Sequence, residues 1–593
     1  MKKITLLIVL IMSLMACESK KDTKLSFESL LKNYQQQKLE FNPLEATYTG
    51  ISGYNDRFPN TISESYRASL RDFYSDFLVQ LKGIDKEALS EIDQMSYDVL
   101  KWECEINLEG LKYSTHLTPI DQMWSPHLLM GQLASGTSAQ PFETVEDYKN
   151  WLKRVDQFII WSDTAIKNMR EGITQNRVLP ASLILKVIPQ MESQLNPDLD
   201  THLYFQPAMS FPDEFTEEER AELTANYQVM VTEKIIPAFS RMTQFLKDEY
   251  LPNGRSSSGI DVYADGKEYY QYQIKFFTTT NMTADQIFEL GKSEVARIQS
   301  EMEKVKTSVG FKGDFKAFFD HVRAKKELMP FTDPSQVIAN FNSIHETMKP
   351  SLNKLFDVVP KAGFEVKQTE AFRAASASAE YSQGSKDGSR PGVFYVPIPN
   401  VNEYNNYSDE SLFLHEAIPG HHYQVSLQQE NETLPEFRQT LWYSAYGEGW
   451  ALYSESLGKE LGLYTDPYQY FGMLGAEMHR AIRLVVDAGM HTQGWTREQA
   501  IQYSLENEAV SEAGIIAEIE RYMALPGQAL SYKIGQLKIM ELRKKASENL
   551  GEKFDIREFH KIVLSTGCIP LELLEGKIDQ WILDKKGSSI SGK

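Results

Sequence analysis

Leu412-Phe413-Leu414-His415-Glu416-Ala417-Ile418-Pro419-Gly420-His421-His422-Tyr423-Gln424 gathers three of the eleven histidines of this chain, and a glutamate, within eight residues. In the H-E-x-x-H helix of zinc hydrolases, two imidazoles stand one turn apart on one face and the glutamate between them activates water. Here the second position is Pro419, and His421 arrives two residues late. Proline removes a helical hydrogen bond and Gly420 tolerates unusual backbone angles, so the spacing predicts a helix kinked or bulged between Ala417 and Gly420. A π-type bulge of that kind places His421 where the i+4 ligand normally sits. His422, at i+7, returns to the face of His415 but lies about 10 Å along the axis, which makes it the alternate ligand. Ser408-Asp409-Glu410 supplies oxygens to cap the helix start and acidic residues for its first turn.

A hydrolytic zinc site needs a third protein ligand and keeps one position for water. Downstream, Ala445-Tyr446-Gly447-Glu448-Gly449-Trp450-Ala451-Leu452-Tyr453-Ser454-Glu455 has helical character and sets Glu448 and Glu455 two turns apart on one face, near Trp442 and Leu457. Carboxylates in so apolar a setting need a metal or a ligating imidazole as partner. The expected centre is one Zn2+ held by His415, His421 and Glu448, with Glu416 as general base and Glu455 as an alternate ligand or a group that orients one. Arg480 and Arg483, in a polar seam with His479 and His491, have the spacing to bind a peptide carboxylate bidentately. Residues 389–400 (Ser-Arg-Pro-Gly-Val-Phe-Tyr-Val-Pro-Ile-Pro-Asn) have the profile of an edge strand, with Phe394 and Tyr395 as a shelf for an extended substrate. His345-Glu346 has no partner nearby in sequence and reads as structural. Serine hydrolysis is disfavoured, since no G-x-S-x-G elbow occurs.

The pattern F-x-H-E-A-x-P-G-H-H-x-Q followed by E-G-W-A-x-Y-x-E resembles the bacterial domain-of-unknown-function family eight-eight-five, whose members are described as lipoproteins or metallopeptidase-like proteins. More distantly it is similar to gluzincins of the thimet oligopeptidase and neurolysin type, whose motif is H-E-F-G-H and whose ligand glutamate is followed seven residues later by another. That resemblance implies His415, His421 and Glu448 as zinc ligands with Glu416 as base. It also implies a mainly α, two-lobed zincin-like architecture, with a small β-sheet beside the metal helix and a deep central channel that admits short or unfolded peptides. The segment from Glu520 to Gly535 resembles the gluzincin stretch whose tyrosine hydroxyls stabilise the oxyanion. Tyr532 is its first candidate and Tyr522 its second, with Arg521 as a carboxylate or oxyanion contact. The two inserted residues are where this chain departs from the gluzincin pattern.

With 593 residues, 42% hydrophobic and 24% charged, the chain is long enough for several domain-sized units or one large multi-lobed enzyme. A formal charge of -20 with no basic stripe argues against nucleic acid as a partner. Lys2-Lys3, a short apolar run and Leu14-Met15-Ala16-Cys17 read as a signal peptide over residues 1–17. Leu14 to Cys17 resembles a lipobox, which implies lipidation of Cys17, a tether over 18–24 and a membrane anchor at the bacterial cell envelope. Cys104 and Cys568 alone support no disulfide framework. Helical spacing, as in Tyr66, Leu70, Phe73, Phe77 and Leu81, predicts a helical N-terminal region over 25–252. After a polar breaker at 252–259 comes a catalytic region over 260–593, in which Asp265-Gly266-Lys267 reads as a loop or hairpin and Thr283 as a helix N-cap. The expected function is zinc-dependent hydrolysis of peptide bonds. The alternative is a non-catalytic lipoprotein that binds peptides or another ligand on the same scaffold.

Overall fold

The computed structural model describes residues 23–136, 138–370, 378–386 and 390–587. The signal peptide and Cys17 lie outside them. The fold is mainly α-helical, with one three-stranded sheet. The chain divides into two compact units: the first runs to Leu89 and takes in Leu100–Ser258 and Val262–Asp265, and the second holds Ser90–Val99, Gly259–Asp261 and everything from Gly266 onward.

The first unit is built on long helices with aromatic inner faces. In α1 (Glu64–Lys82) the Ser63 side chain accepts from the Tyr66 N–H and fixes the start, while Phe73, Tyr74, Phe77 and Leu81 are buried. Thr144 and Asp147 form a capping box at the head of α2 (Val145–Thr174), which buries Trp151, Val155, Phe158 and Trp161. These side chains belong to one apolar core with Tyr204, Tyr227 and Phe239. None of the candidate catalytic, metal-ligating or substrate-binding residues lies in this unit.

In the second unit, Gly266 opens a helix, Gly266–Thr278, and forms no loop or hairpin. The glycine answers a close approach: a Cβ there would lie 2.0 Å from the Ile260 carbonyl oxygen. Thr283 forms a capping box with Gln286 at the start of α3 (Ala284–Ser308), and α4 (Pro334–Leu352) follows. The sheet comprises β1 (Phe364–Gln368), β2 (Glu380–Ser382) and β3 (Gly392–Val396) in the order β1-β3-β2. β3 is therefore central, parallel to β1 and antiparallel to β2. The edge-strand expectation fails because Pro391 and Pro397 flank the strand, so every residue of β3 keeps a backbone N–H for pairing.

The helices that carry the site are α5 (Asp409–Glu416), α6 (His421–Gln429), α7 (Ser444–Ser456), α8 (Pro467–Thr492), α9 (Glu512–Ala524) and α10 (Ser531–Leu550). Helices α7 and α10 touch backbone to backbone. A Cβ on Gly535 would lie 1.8 Å from the Ala445 carbonyl oxygen, and one on Gly449 would lie 2.5 Å from the Gly535 Cα. The fully buried Lys533 ammonium ties three helices together: it lies 2.9 Å from Glu294 of α3 and 2.7 Å from Glu477 of α8. Among the described residues no helix is long and apolar enough to cross a membrane.

Candidate metal centre

Helix α5 stops at Glu416 and α6 begins at His421, so the motif is two helices joined by a break and not one bulged helix. Ala417 (φ -107°, ψ -106°) and Gly420 (φ -71°, ψ -129°) leave helical geometry, and the Ile418–Pro419 peptide is cis. A Cβ on Gly420 would lie 1.9 Å from the His415 carbonyl oxygen and 2.3 Å from that of Leu414, so only glycine lets the chain turn back against the last turn of α5. The Trp450 indole N–H donates to the Pro419 carbonyl at 2.8 Å and pins the break from α7. At the head of α5 the Ser408 side chain makes no capping hydrogen bond. Asp409 is instead buried, accepting from Asn340 at 2.7 Å and Tyr404 at 2.9 Å. Burial pushes its carboxyl up to about 8, against the pull of those two donors.

The break brings His415, His421 and Glu448 together, one ligand atom from each lying within 4.8 Å of the others. Nε2 of His415 is 3.6 Å and Nε2 of His421 is 3.4 Å from the same Glu448 carboxylate oxygen. A charge-assisted hydrogen bond would close to about 2.8 Å, whereas donors sharing a tetrahedral zinc at bond lengths near 2.1 Å stand about 3.4 Å apart. The nitrogen-and-carboxylate donor set and its spacing fit a zinc ion. The imidazoles meet at 90° with centroids 4.9 Å apart. His421 Nδ1 is buried without a hydrogen-bond partner among the described residues.

Glu455 orients His415. One of its oxygens lies 2.7 Å from His415 Nδ1 and the other accepts from the Ser411 hydroxyl at 2.6 Å, which leaves His415 Nε2 to face Glu448. His422 is turned elsewhere, because successive helical residues diverge by about 100°. Its Nδ1 lies 3.0 Å from the Tyr381 hydroxyl and its ring packs on Phe364, so it belongs to the sheet and not to the ligand set.

Burial disfavours the His415 imidazolium, but Glu448, Glu455 and Glu416 outweigh it and raise its pKa to about 9. Glu448 is also penalised by burial, yet His421 and His415 hold it well below the usual carboxylate range. Glu416 is raised: burial and the Glu448 charge push it up, while His415, His421 and Arg480 oppose them. A buried carboxyl with raised proton affinity beside a ligand set suits a proton acceptor.

Tyr532 comes within the field of Glu448 through the α7–α10 contact, and its hydroxyl has no hydrogen-bond partner among the described residues. Tyr522 is otherwise engaged: its hydroxyl donates to Glu518 at 2.5 Å and accepts from Arg483 at 2.9 Å. Arg521 is likewise occupied, with Nε and Nη2 donating to Glu518 and Nη1 to Gln528. The Arg483 guanidinium stacks over the Tyr532 ring at 4.6 Å, with that of Arg480 at 5.9 Å. Phe394 is fully buried against Phe341, which removes it as a substrate contact, and Tyr395 is partly exposed on the central strand. His345 packs on Phe413.

Sequence reasoning missed Ser411, one turn before His415, and Glu518, three and four residues before Arg521 and Tyr522. Both follow from i,i+3 and i,i+4 neighbourhood on a helix.

The fold is shared with solved structures. A candidate lipoprotein from Colwellia psychrerythraea has a TM-score of 0.85 at 27% identity, covering 95% of this chain and 99% of its own. A candidate lipoprotein of unknown function from Shewanella oneidensis has a TM-score of 0.74 at 19% identity, covering 93% and 99%. No curated protein matches. The sequence pattern of a family described as bacterial protein of unknown function matches residues 43–578, and this chain belongs to that family, DUF885.

Proposed function

We propose that this protein is a zinc-dependent peptidase of the bacterial cell envelope, anchored through lipid on Cys17 and acting on short or unfolded peptides. The observation that carries the reading is the convergence of His415, His421 and Glu448 at spacings that suit a shared cation, with Glu416 buried beside them. The description of the Colwellia neighbour as a candidate lipoprotein supports the envelope location. The gluzincin-like, two-lobed architecture with a deep channel belongs to the same proposal.

Zinc held by His415, His421 and Glu448 would supply Lewis acidity toward the scissile carbonyl and a more acidic water. Glu416 takes a proton from the attacking water as its oxygen bonds to the carbonyl carbon. It then delivers that proton to the amine nitrogen as the C–N bond breaks, leaving a carboxylic acid and an amine. The Tyr532 phenol donates to the carbonyl oxygen as charge develops there, being neutral in the resting site. Glu455 keeps His415 in the tautomer that presents Nε2.

The test has two parts. Purified protein should hold or take up one zinc per chain. A mixed peptide library, read by mass spectrometry, should be cleaved by the wild type and not by Glu416→Gln. Equal cleavage by both proteins removes Glu416 from its role. A protein that takes up no zinc belongs to the alternative, a lipoprotein that binds peptides without cutting them.

A further inference from the structure

Two guanidinium groups, those of Arg483 on α8 and Arg521 on α9, share a single carboxylate. Glu518 accepts from Arg483 at 2.9 Å, from Arg521 through two nitrogens and from Tyr522. The neighbouring Glu508 is engaged by His479 at 2.5 Å. Arg480 makes no ion pair among the described residues, and Nη1 donates only to its own helix, at the Ala476 carbonyl. Arg480 therefore brings a guanidinium with no ion-pair partner among the described residues to the Tyr532 ring.

In this cluster two arginine nitrogens are also buried without hydrogen-bond partners among the described residues. Arg483 is 7% exposed; its Nε and Nη2 are bonded while its Nη1 is buried and unpaired. The Nε of Arg480 is buried and unpaired as well. Leaving a charged donor unmade in the interior is costly, so these two atoms are open to an acceptor that a ligand brings. Both guanidinium groups lie over the Tyr532 ring, and the charge of Arg480 acts on Glu416. The open donors thus lie next to the hydrolytic residues. Two planar forks with free N–H groups suit a planar anion with two oxygens.

We infer that Arg480 and Arg483 bind the free α-carboxylate of a peptide C-terminus, so that the substrates are peptides cut close to that end. The inference rests on the peptidase reading for the cleavage and stands apart from it for the binding. The carboxylate displaces no resident acidic side chain from Arg480, and its second oxygen reaches the Arg483 Nη1.

The experiment uses full-length, zinc-loaded Glu416→Gln protein and peptides of identical sequence made as the free acid or the C-terminal amide, with affinity measured by calorimetry. The acid should bind at least ~10-fold more tightly than the amide, as expected for an ion pair formed in a desolvated site. Arg480→Gln, introduced into the same protein, should bring the two forms within about 2-fold at unchanged zinc content. Arg480 is the variant of choice because only the Ala476 carbonyl holds it. Equal binding of acid and amide, discrimination that survives Arg480→Gln, or tight binding of an amidated peptide through a glutamate side chain overturns the assignment. Discrimination in a protein whose wild type cleaves nothing upholds the carboxylate site and sinks the peptidase reading. Internal cleavage of amidated peptides does the reverse.

Discussion

Two clusters of buried charge lie in the same unit, and they are built differently. Around Lys533, every contact is closed: the ammonium lies 2.9 Å from Glu294, 2.7 Å from Glu477 and 2.7 Å from Gln536, and Arg297 reaches Glu477 at 2.6 Å. Around Glu448, the imidazole nitrogens stop at 3.4 and 3.6 Å from the carboxylate although nothing in sequence forbids a shorter approach. Closed contacts neutralise one another and stabilise helix packing. Spaced donors of matching type suit a different problem, the coordination of the proposed cation. Distance, more than the number of charges, separates a structural network from a site.

Substitutions should pull the two clusters apart. The largest effect is expected for Glu416→Gln, which should lower the rate of peptide hydrolysis by ~10²–10⁴-fold while zinc per chain, measured by elemental analysis, stays at the wild-type value. Lys533→Ala should do the opposite, costing about 1–3 kcal/mol of stability in urea titrations because Glu294 and Glu477 are left to share the Arg297 guanidinium alone. Its zinc affinity, measured where the variant is folded, should be unchanged; a parallel loss of zinc would merge the two clusters into one. Glu455→Gln should weaken zinc binding by ~10–100-fold in competition with a chromogenic chelator, because His415 loses its orienting carboxylate. Unaltered affinity would reduce Glu455 to packing.

A separate test concerns Asp409, a buried acid outside both clusters. Its folded pKa of about 8 lies above the unfolded value near 4. The stability it contributes is therefore complete below about pH 4 and declines as pH rises toward 8, because the unfolded chain gives up the proton first. Asp409→Asn should flatten that part of the pH dependence, seen as a smaller change in urea midpoint between pH 4 and 8 than in the wild type. A slope identical to the wild type would assign the effect to another group, Asp487 being the next candidate.

What could be read from residues alone follows the reach of helical periodicity. His415, Glu416 and His421 are near in sequence, and Glu448 and Glu455 are fixed to each other by seven residues of helix, so their convergence follows from spacing and from the apolar company they keep. The same logic puts aromatic side chains at the core of α1 and α2. It fails where partners are distant. The neighbours of β3 come from residues 364–368 and 380–382, so its central position is invisible in its own sequence. His422 looks like a ligand until Tyr381 and Phe364 are seen to occupy it. Tyr522 looks free to act until Arg483, 39 residues away, is found on its hydroxyl. The break at Ala417–Gly420 is half legible: proline and glycine announce a disturbance, but its form depends on Trp450.

That indole has a consequence for how the centre can change over time. In a one-helix motif the gap between the two histidine donors is dictated by helix pitch and cannot be adjusted without disturbing the fold. Here the gap is spanned by a loop clamped at Pro419 by the Trp450 N–H, while both flanking helices keep their own registers. Donor separation has become an independent variable, open to selection through loop and clamp with His415, His421 and Glu448 all left in place.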